Sequence, residues 1–208
     1  YIQDLQENSI VMTSSFSSML YTAMFFAAAM AGNAQALEQL NKLPEDAAAH
    51  MAEFSDKVKP LAEASTGMKV FIGLGSGVHY GLAGEASIKV KEMTLTPSEC
   101  YYSLEYRHGP ISIADDKTVV AYYVSDNTCG EDAKLIGELK ALGARVIALG
   151  CVSEEIQRTA DVSFQSGLCQ CAALPELIIP LQYFGAYLAI AKGFDPDTPK
   201  NLSKAVIL

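Results

Sequence analysis

The residues most able to do chemistry in this sequence lie in Glu85-Ala-Ser-Ile-Lys89-Val-Lys91-Glu92. Intervals of four and three place Glu85, Lys89 and Glu92 on one face of a helix. Carboxylates beside an ammonium suit proton transfer next to a carbonyl, with one group taking the proton and the cation steadying the developing oxyanion. The same spacing describes an exposed ion pair between Glu85 and Lys89, and both readings stand at this point. Glu92 falls in the last turn of the expected helix, where the dipole disfavours a carboxylate. Either a poised base or a solvated, badly capped side chain fits that position.

Other segments add candidates. His108 sits in Glu105-Tyr-Arg-His108-Gly-Pro110, a stiffened loop in which a histidine can be structural or catalytic. Asn201-Leu-Ser203-Lys204 follows Pro196 and Pro199, and its lysine could be solvated or directed at a ligand. Gly73-Leu-Gly75-Ser76-Gly77 joins a strand to a helix, where backbone N–H groups can face an anion. A dinucleotide fingerprint would need glycine at position 78, which is Val78, so no nicotinamide cofactor is expected. His79 could touch a ligand there, whereas His50 lies in an Ala-rich helix. Ser125 to Asp132 has the hydroxyls and glycine of a phosphate cradle, but Asp126, Glu131 and Asp132 would repel a dianion. Cys169-Gln-Cys171 lacks further ligands at metal-binding spacing, so no metal is expected.

The elements that must position these residues follow from hydrophobic pattern and punctuation. Helices are expected over 14–32, 33–41 and 44–64, the last opened by Pro44, with Ser65-Thr66-Gly67 as a turn. Residues 68–74, 118–125, 145–149 and 161–166 read as strands, and 81–93, 131–142 and 175–192 as helices. Alternating strands and helices imply an α/β fold, a parallel sheet covered on both faces. The expected organisation is a helical lead-in over 1–65, an α/β domain over 66–195 and a tail over 196–208.

With 208 residues, half of them hydrophobic, the chain has ample core-forming material. A net charge of −9 argues against a nucleic-acid groove or an anionic membrane surface as partner. Five cysteines, an odd number, read as a reducing, cytoplasmic setting rather than a disulfide framework. The apolar stretches 16–31 and 174–191 are too short or too polar for a bilayer span and read as core helices. No signal peptide is evident, and a start at Tyr1 is expected of a fragment or processed chain.

In order, Met12-Thr-Ser-Ser-Phe16, Gly73-x-Gly75, Glu85 to Glu92, Glu99, Glu105-x-x-His108-Gly-Pro110 and Asn201-Leu-Ser203-Lys204 resemble the sugar isomerase (SIS) family. The resemblance is to the second SIS domain of the isomerase module of glutamine–fructose-6-phosphate aminotransferases and of single-function phosphosugar isomerases and deaminases. Ser14, where the synthase pattern carries a lysine, leans toward the single-function relatives. The resemblance implies a five-stranded, flavodoxin-like parallel sheet in a three-layer αβα sandwich. It implies aldose–ketose isomerisation of a hexose or amino-hexose 6-phosphate, or the related deamination or deglycation. It assigns proton transfer between C1 and C2 to Glu92, ring opening to His108, carbonyl engagement to Lys204 and enolate support to Lys89. Gly75, Ser76 and Ser203 are the accompanying candidates for substrate binding. No cofactor is implied. A homodimer is implied in which the His108 loop reaches the neighbour's site, and Tyr101, Tyr102 and Tyr106 are the aromatics expected at its interface. The hydroxyl-rich phosphate loop of the family belongs to the first SIS domain, which is expected upstream of Tyr1. A non-catalytic sugar-phosphate sensor is the alternative from another class, and it would have no need of Glu92, His108 and Lys204 together.

Overall fold

The computed structural model describes residues 7–169 and 172–203. Two helices open the chain, α1 (Ser14–Met30) and α2 (Ala34–Glu63). Gly32, at φ 61°, allows the reversal between them, and the Asn33 side chain caps α2 by accepting from the Ala36 N–H at 3.0 Å. Strand β1 (Val70–Gly75) leads into α3 (His79–Thr94), then β2 (Ser98–Tyr101). Two 3-10 turns, Leu104–His108 and Pro110–Ile113, carry the chain to β3 (Thr118–Val124). There follow α4 (Cys129–Ala141), β4 (Arg145–Gly150), α5 (Glu154–Thr159) and β5 (Val162–Phe164). Helices α6 (Leu174–Leu177) and α7 (Ile179–Ala191) close the domain.

All four pairings are parallel and the strand order is β2-β1-β3-β4-β5. That is the flavodoxin-like doubly wound order, so the expected three-layer α/β fold is the observed one. Strand alternation divides the core by sheet face. Phe71, Val119, Ala121, Tyr123, Ile147 and Leu149 point to the side covered by α2, α3 and α7. Ile72, Leu74, Val120, Tyr122, Val146 and Ala148 point to the side covered by α4, α5 and the first 3-10 turn.

Three expectations need correction. The helices expected over 33–41 and 44–64 are one 30-residue helix, with Pro44 inside it. Proline removes one intrahelical hydrogen bond, but Leu40 and Leu43 in the turn before it and Phe54 beyond it are buried and hold the helix through it. Strand β2 has little hydrophobic signature, because at the sheet edge only Ser98 is buried. The six-residue α5 was likewise not legible. Phe54, Val58 and Ala62 of α2 share the sheet's core. Residues 174–191 are long and apolar enough to cross a membrane by length and composition, yet 61% of that window is buried in the domain.

A close approach between α3 and β1 depends on glycine. A Cβ at Gly73 would stand 2.3 Å from the Ala83 carbonyl oxygen and 2.7 Å from Ser87 Oγ. Gly73→Ala is therefore expected to destabilise the chain by at least about 1–3 kcal/mol. Gly137→Ala, in α4 with nothing within 4 Å, should stabilise it by up to about 1 kcal/mol. Urea unfolding of the two variants checks the contrast.

Candidate active site

Helix α3 carries the candidate site on the flank of its buried face. Leu82, Ala83, Ala86 and Val90 pack on the sheet, while Gly185 of α7 lies so close that a Cβ there would sit 2.5 Å from Met93 Cε. Between these contacts runs the stripe Glu85, Lys89, Glu92. Lys89 Nζ donates to Glu92 Oε2 at 2.7 Å and lies 3.7 Å from Glu85 Oε1. The Lys89 side chain is 5% exposed, Glu85 11% and Glu92 29%. The exposed ion pair is thus not what forms: this is a buried ammonium between two carboxylates, one reaching toward solvent.

The two carboxylates differ in environment. Burial pushes the Glu85 carboxyl above the usual range, Lys89 opposes that, and the nearby Glu92 charge adds to it. One Glu85 oxygen, Oε1, is buried with no hydrogen bond. Glu85 joins the Lys89–Glu92 pair as a third, buried charge. Its i, i+4, i+7 spacing was the available signal, and only burial separates it from a surface pair.

The far end of α3 is firmly held. Leu95 adopts a left-handed conformation at φ 54° to end the helix. Lys192, at the end of α7, donates to Thr96 Oγ1 at 2.6 Å and to the Thr94 carbonyl at 3.4 Å. Burial lowers its pKa. The tail returns to the same end, where Met93 and Leu95 share a cavity with Phe194, Asp195 and Lys200. Ser203 is exposed on that tail. Lys204 lies outside the described residues.

Other candidates are placed elsewhere. Gly75 and Ser76 are at the start of α3, and a Cβ on Gly75 would stand 2.4 Å from the His79 carbonyl oxygen. From His79 to Glu92 the helix axis runs about 20 Å, at about 1.5 Å per residue. The structure therefore does not bring Gly75 and Ser76 to the Lys89–Glu92 pair. The reason is that α3 runs antiparallel to the strand it follows, so the glycine loop and the Lys89–Glu92 pair lie toward opposite ends of one helix. His79 is buried and stacked on Tyr123 at 6.3 Å between centroids.

His108 is exposed on the other face of the sheet. The neighbouring Tyr106 is fully buried in the core beneath α4, and Arg107 forks onto Glu138 of α4 through Nε at 2.9 Å and Nη2 at 2.5 Å. Tyr106 is accordingly a core residue of its own chain, not an interface aromatic. Tyr102 is 51% exposed and stacks on Tyr80 at 4.2 Å.

The loop 125–132 closes on itself. Asp132 accepts from the Ser125 N–H at 3.2 Å, Thr128 Oγ1 at 2.8 Å and Tyr122 Oη at 2.8 Å. A side-chain carboxylate takes the donors an external anion would need, in keeping with a cradle that holds no phosphate. Cys169 is exposed, Cys171 lies outside the described residues, and among the described residues no group of three His, Cys, Asp or Glu is placed to hold a metal.

No family model matches the chain. A glutamine–fructose-6-phosphate aminotransferase (isomerizing) of Methanothermobacter thermautotrophicus is 30% identical over 204 residues, covering 96% of this chain and 34% of that protein. Among solved structures, glucosamine-6-phosphate deaminase of Thermotoga maritima matches with TM-score 0.80 and 31% identity, over 100% of this chain and 61% of that one. The chain belongs to the SIS family. The tagatose-6-phosphate ketose/aldose isomerase of Escherichia coli, at 25% identity and TM-score 0.73, covers 96% of this SIS chain and 54% of its own. The chain thus spans about a third of the curated relative it matches and somewhat over half of each solved structure.

The raised Glu85 pKa has a testable sign. The folded state takes up a proton at higher pH than the unfolded chain, so this group adds stability as pH falls through its raised value and none further below the unfolded value of 4.5. Glu85→Gln should raise Tm at neutral pH, with the advantage over wild type vanishing toward pH 4. Calorimetry across pH 4–8 measures it, and an advantage that does not change with pH would contradict the assignment.

Proposed function

We propose that this SIS chain supplies the proton-transfer half of an enzyme acting on a hexose or amino-hexose 6-phosphate, interconverting aldose and ketose forms through an enediol or enamine. Deamination of an amino-sugar phosphate and deglycation of a fructosamine phosphate use the same proton transfer and are the adjacent reactions. The observation that carries this reading is the buried Lys89 ammonium, bonded at 2.7 Å to the more exposed Glu92. In this arrangement Glu92 takes the proton at C2 and returns it to C1, while Lys89 steadies the oxyanion as charge moves onto the substrate. Lys204, which follows Ser203 in the sequence, engages the open-chain carbonyl. No metal or redox cofactor takes part in the proposed steps.

His108 is proposed to open the sugar ring from a second copy of the chain. Two features favour that. The sheet lies between the His108 turn and α3, and the Arg107 fork onto Glu138 holds the turn on its own face. A homodimer with reciprocal sites brings the two together without crossing the sheet.

Turnover of fructose 6-phosphate or glucosamine 6-phosphate by the complete protein tests the enzyme reading. Tight binding without turnover would favour the sensor instead. In the complete protein Glu92→Gln should lower kcat about 10²–10⁴-fold with a much smaller change in KM. The 208-residue chain alone should bind phosphosugar orders of magnitude more weakly than the complete protein, because phosphate is gripped by a loop of charge-assisted donors elsewhere.

Subunit mixing tests the shared site. Glu92→Gln and His108→Ala proteins refolded together in equal amounts give about half mixed dimers. If His108 acts across the interface, each mixed dimer has one intact site and activity returns to about a quarter of wild type. A mixture as inactive as its parents, with mixed dimers confirmed by mass, contradicts it.

A further inference from the structure

A cavity of about 480 Å³ lies between the segment before α1, α7 and the returning tail, and includes Ser9, Val11, Thr13, Met93, Gln182 and Asp197 in its lining. One wall of it is tied in an unusual way. Helix α1 has no side-chain cap of its own from Thr13 and no acidic residue in its first turn. Glu7, six residues upstream, fills both roles. Its Oε1 accepts from the Thr13 N–H at 2.6 Å, Thr13 Oγ1 at 2.8 Å and the Ser14 N–H at 3.1 Å, and its Oε2 from the Ser15 N–H at 3.0 Å. One carboxylate thus satisfies three otherwise unpaired N–H groups at the positive end of a helix.

The loop closed by that contact grips the tail. Ile10 donates its N–H to the Asp197 carbonyl at 3.0 Å, and Ser9 Oγ donates to the same oxygen at 3.4 Å. Ser9 Oγ also accepts from the Val11 N–H at 3.1 Å. Val11 is buried with Met93 and Ala189. The segment therefore touches the residue next to Glu92 and the tail that continues to Ser203 and Lys204.

We propose that Glu7 is a positioning residue for the site, holding residues 9–11 in the conformation that fixes the tail at Asp197 and the last turn of α3 at Met93. This rests on the proposed roles of Glu92 and Lys204. The many donors keep its carboxyl ionised, with a pKa near 2 despite partial burial, so the clamp holds throughout the neutral range. Glu7→Gln keeps the shape but replaces one acceptor by a donor that faces N–H groups.

The test uses the complete protein and two readouts. In Glu7→Gln, amide exchange of residues 9–11 and 194–203 should quicken at least about tenfold while β1, β3 and β4 keep wild-type protection. Turnover should fall about tenfold in kcat with KM changed less than about threefold, since misplaced groups cost rate more than binding. Glu7→Asp should restore part of both. Ile10→Pro, which deletes the N–H given to Asp197, should loosen the tail while leaving α1 protected, and stands in if Glu7→Gln fails to fold. Unchanged tail exchange, a uniform rise in exchange across the sheet, or tail loosening with undiminished kcat in an active protein each overturns the proposal. Should wild type turn over no sugar phosphate, the functional reading fails, while the exchange comparison still decides the clamp.

Discussion

A buried ammonium sets the terms for this structure. Lys89 is almost wholly inside the domain, and an unpaired charge there would be strongly unfavourable. Two carboxylates on its own helix compensate it, one at 2.7 Å and one at 3.7 Å. Replacing such a group by well-packed apolar side chains is often neutral or stabilising, so packing alone gives little reason for it. The proposed proton transfer, which needs a cation ready beside a base, gives a direct reason. Glu85 bears the electrostatic cost, with a raised pKa and an oxygen lacking a hydrogen bond.

The contacts that hold the Lys89–Glu92 end of α3 lie on one face of the sheet. Alpha-helix α7 presses Gly185 against Met93, Lys192 ties off the helix terminus, and the segment from Glu7 to Val11 closes over the same turn. The opposite face is organised around other interactions, the Tyr106 core and the Arg107 fork onto Glu138. The two faces carry different halves of the proposed chemistry, which is why the proposal invokes a second copy of the chain.

Much of this was legible in the sequence because period and punctuation report burial. The runs at 70–75, 118–124 and 145–150 are strands buried on both faces, and the i, i+4, i+7 carboxylate–lysine stripe lies on a helix as expected. What could not be read is what depends on distant partners. Pro44 does not break α2, because tertiary burial of Leu40 and Leu43 outweighs a lost hydrogen bond. Edge strand β2 shows no hydrophobic run, since it pairs with one neighbour only. The separation of Gly75 and Ser76 from Glu92 depends on the length of α3 between them. The Glu7 contacts span six to eight residues outside any helical period, which left them invisible to pattern reading.

The most direct measurement of the central claim is solvent deuterium entering C2 of a bound hexose 6-phosphate, followed by NMR in the complete protein. Wild type should exchange that proton, while Glu92→Gln should not. Lys89→Met should exchange at least about a hundredfold more slowly, because the oxyanion loses its cation. Exchange at the wild-type rate in Lys89→Met and Glu92→Gln would mean that the buried pair is structural and that the base lies elsewhere.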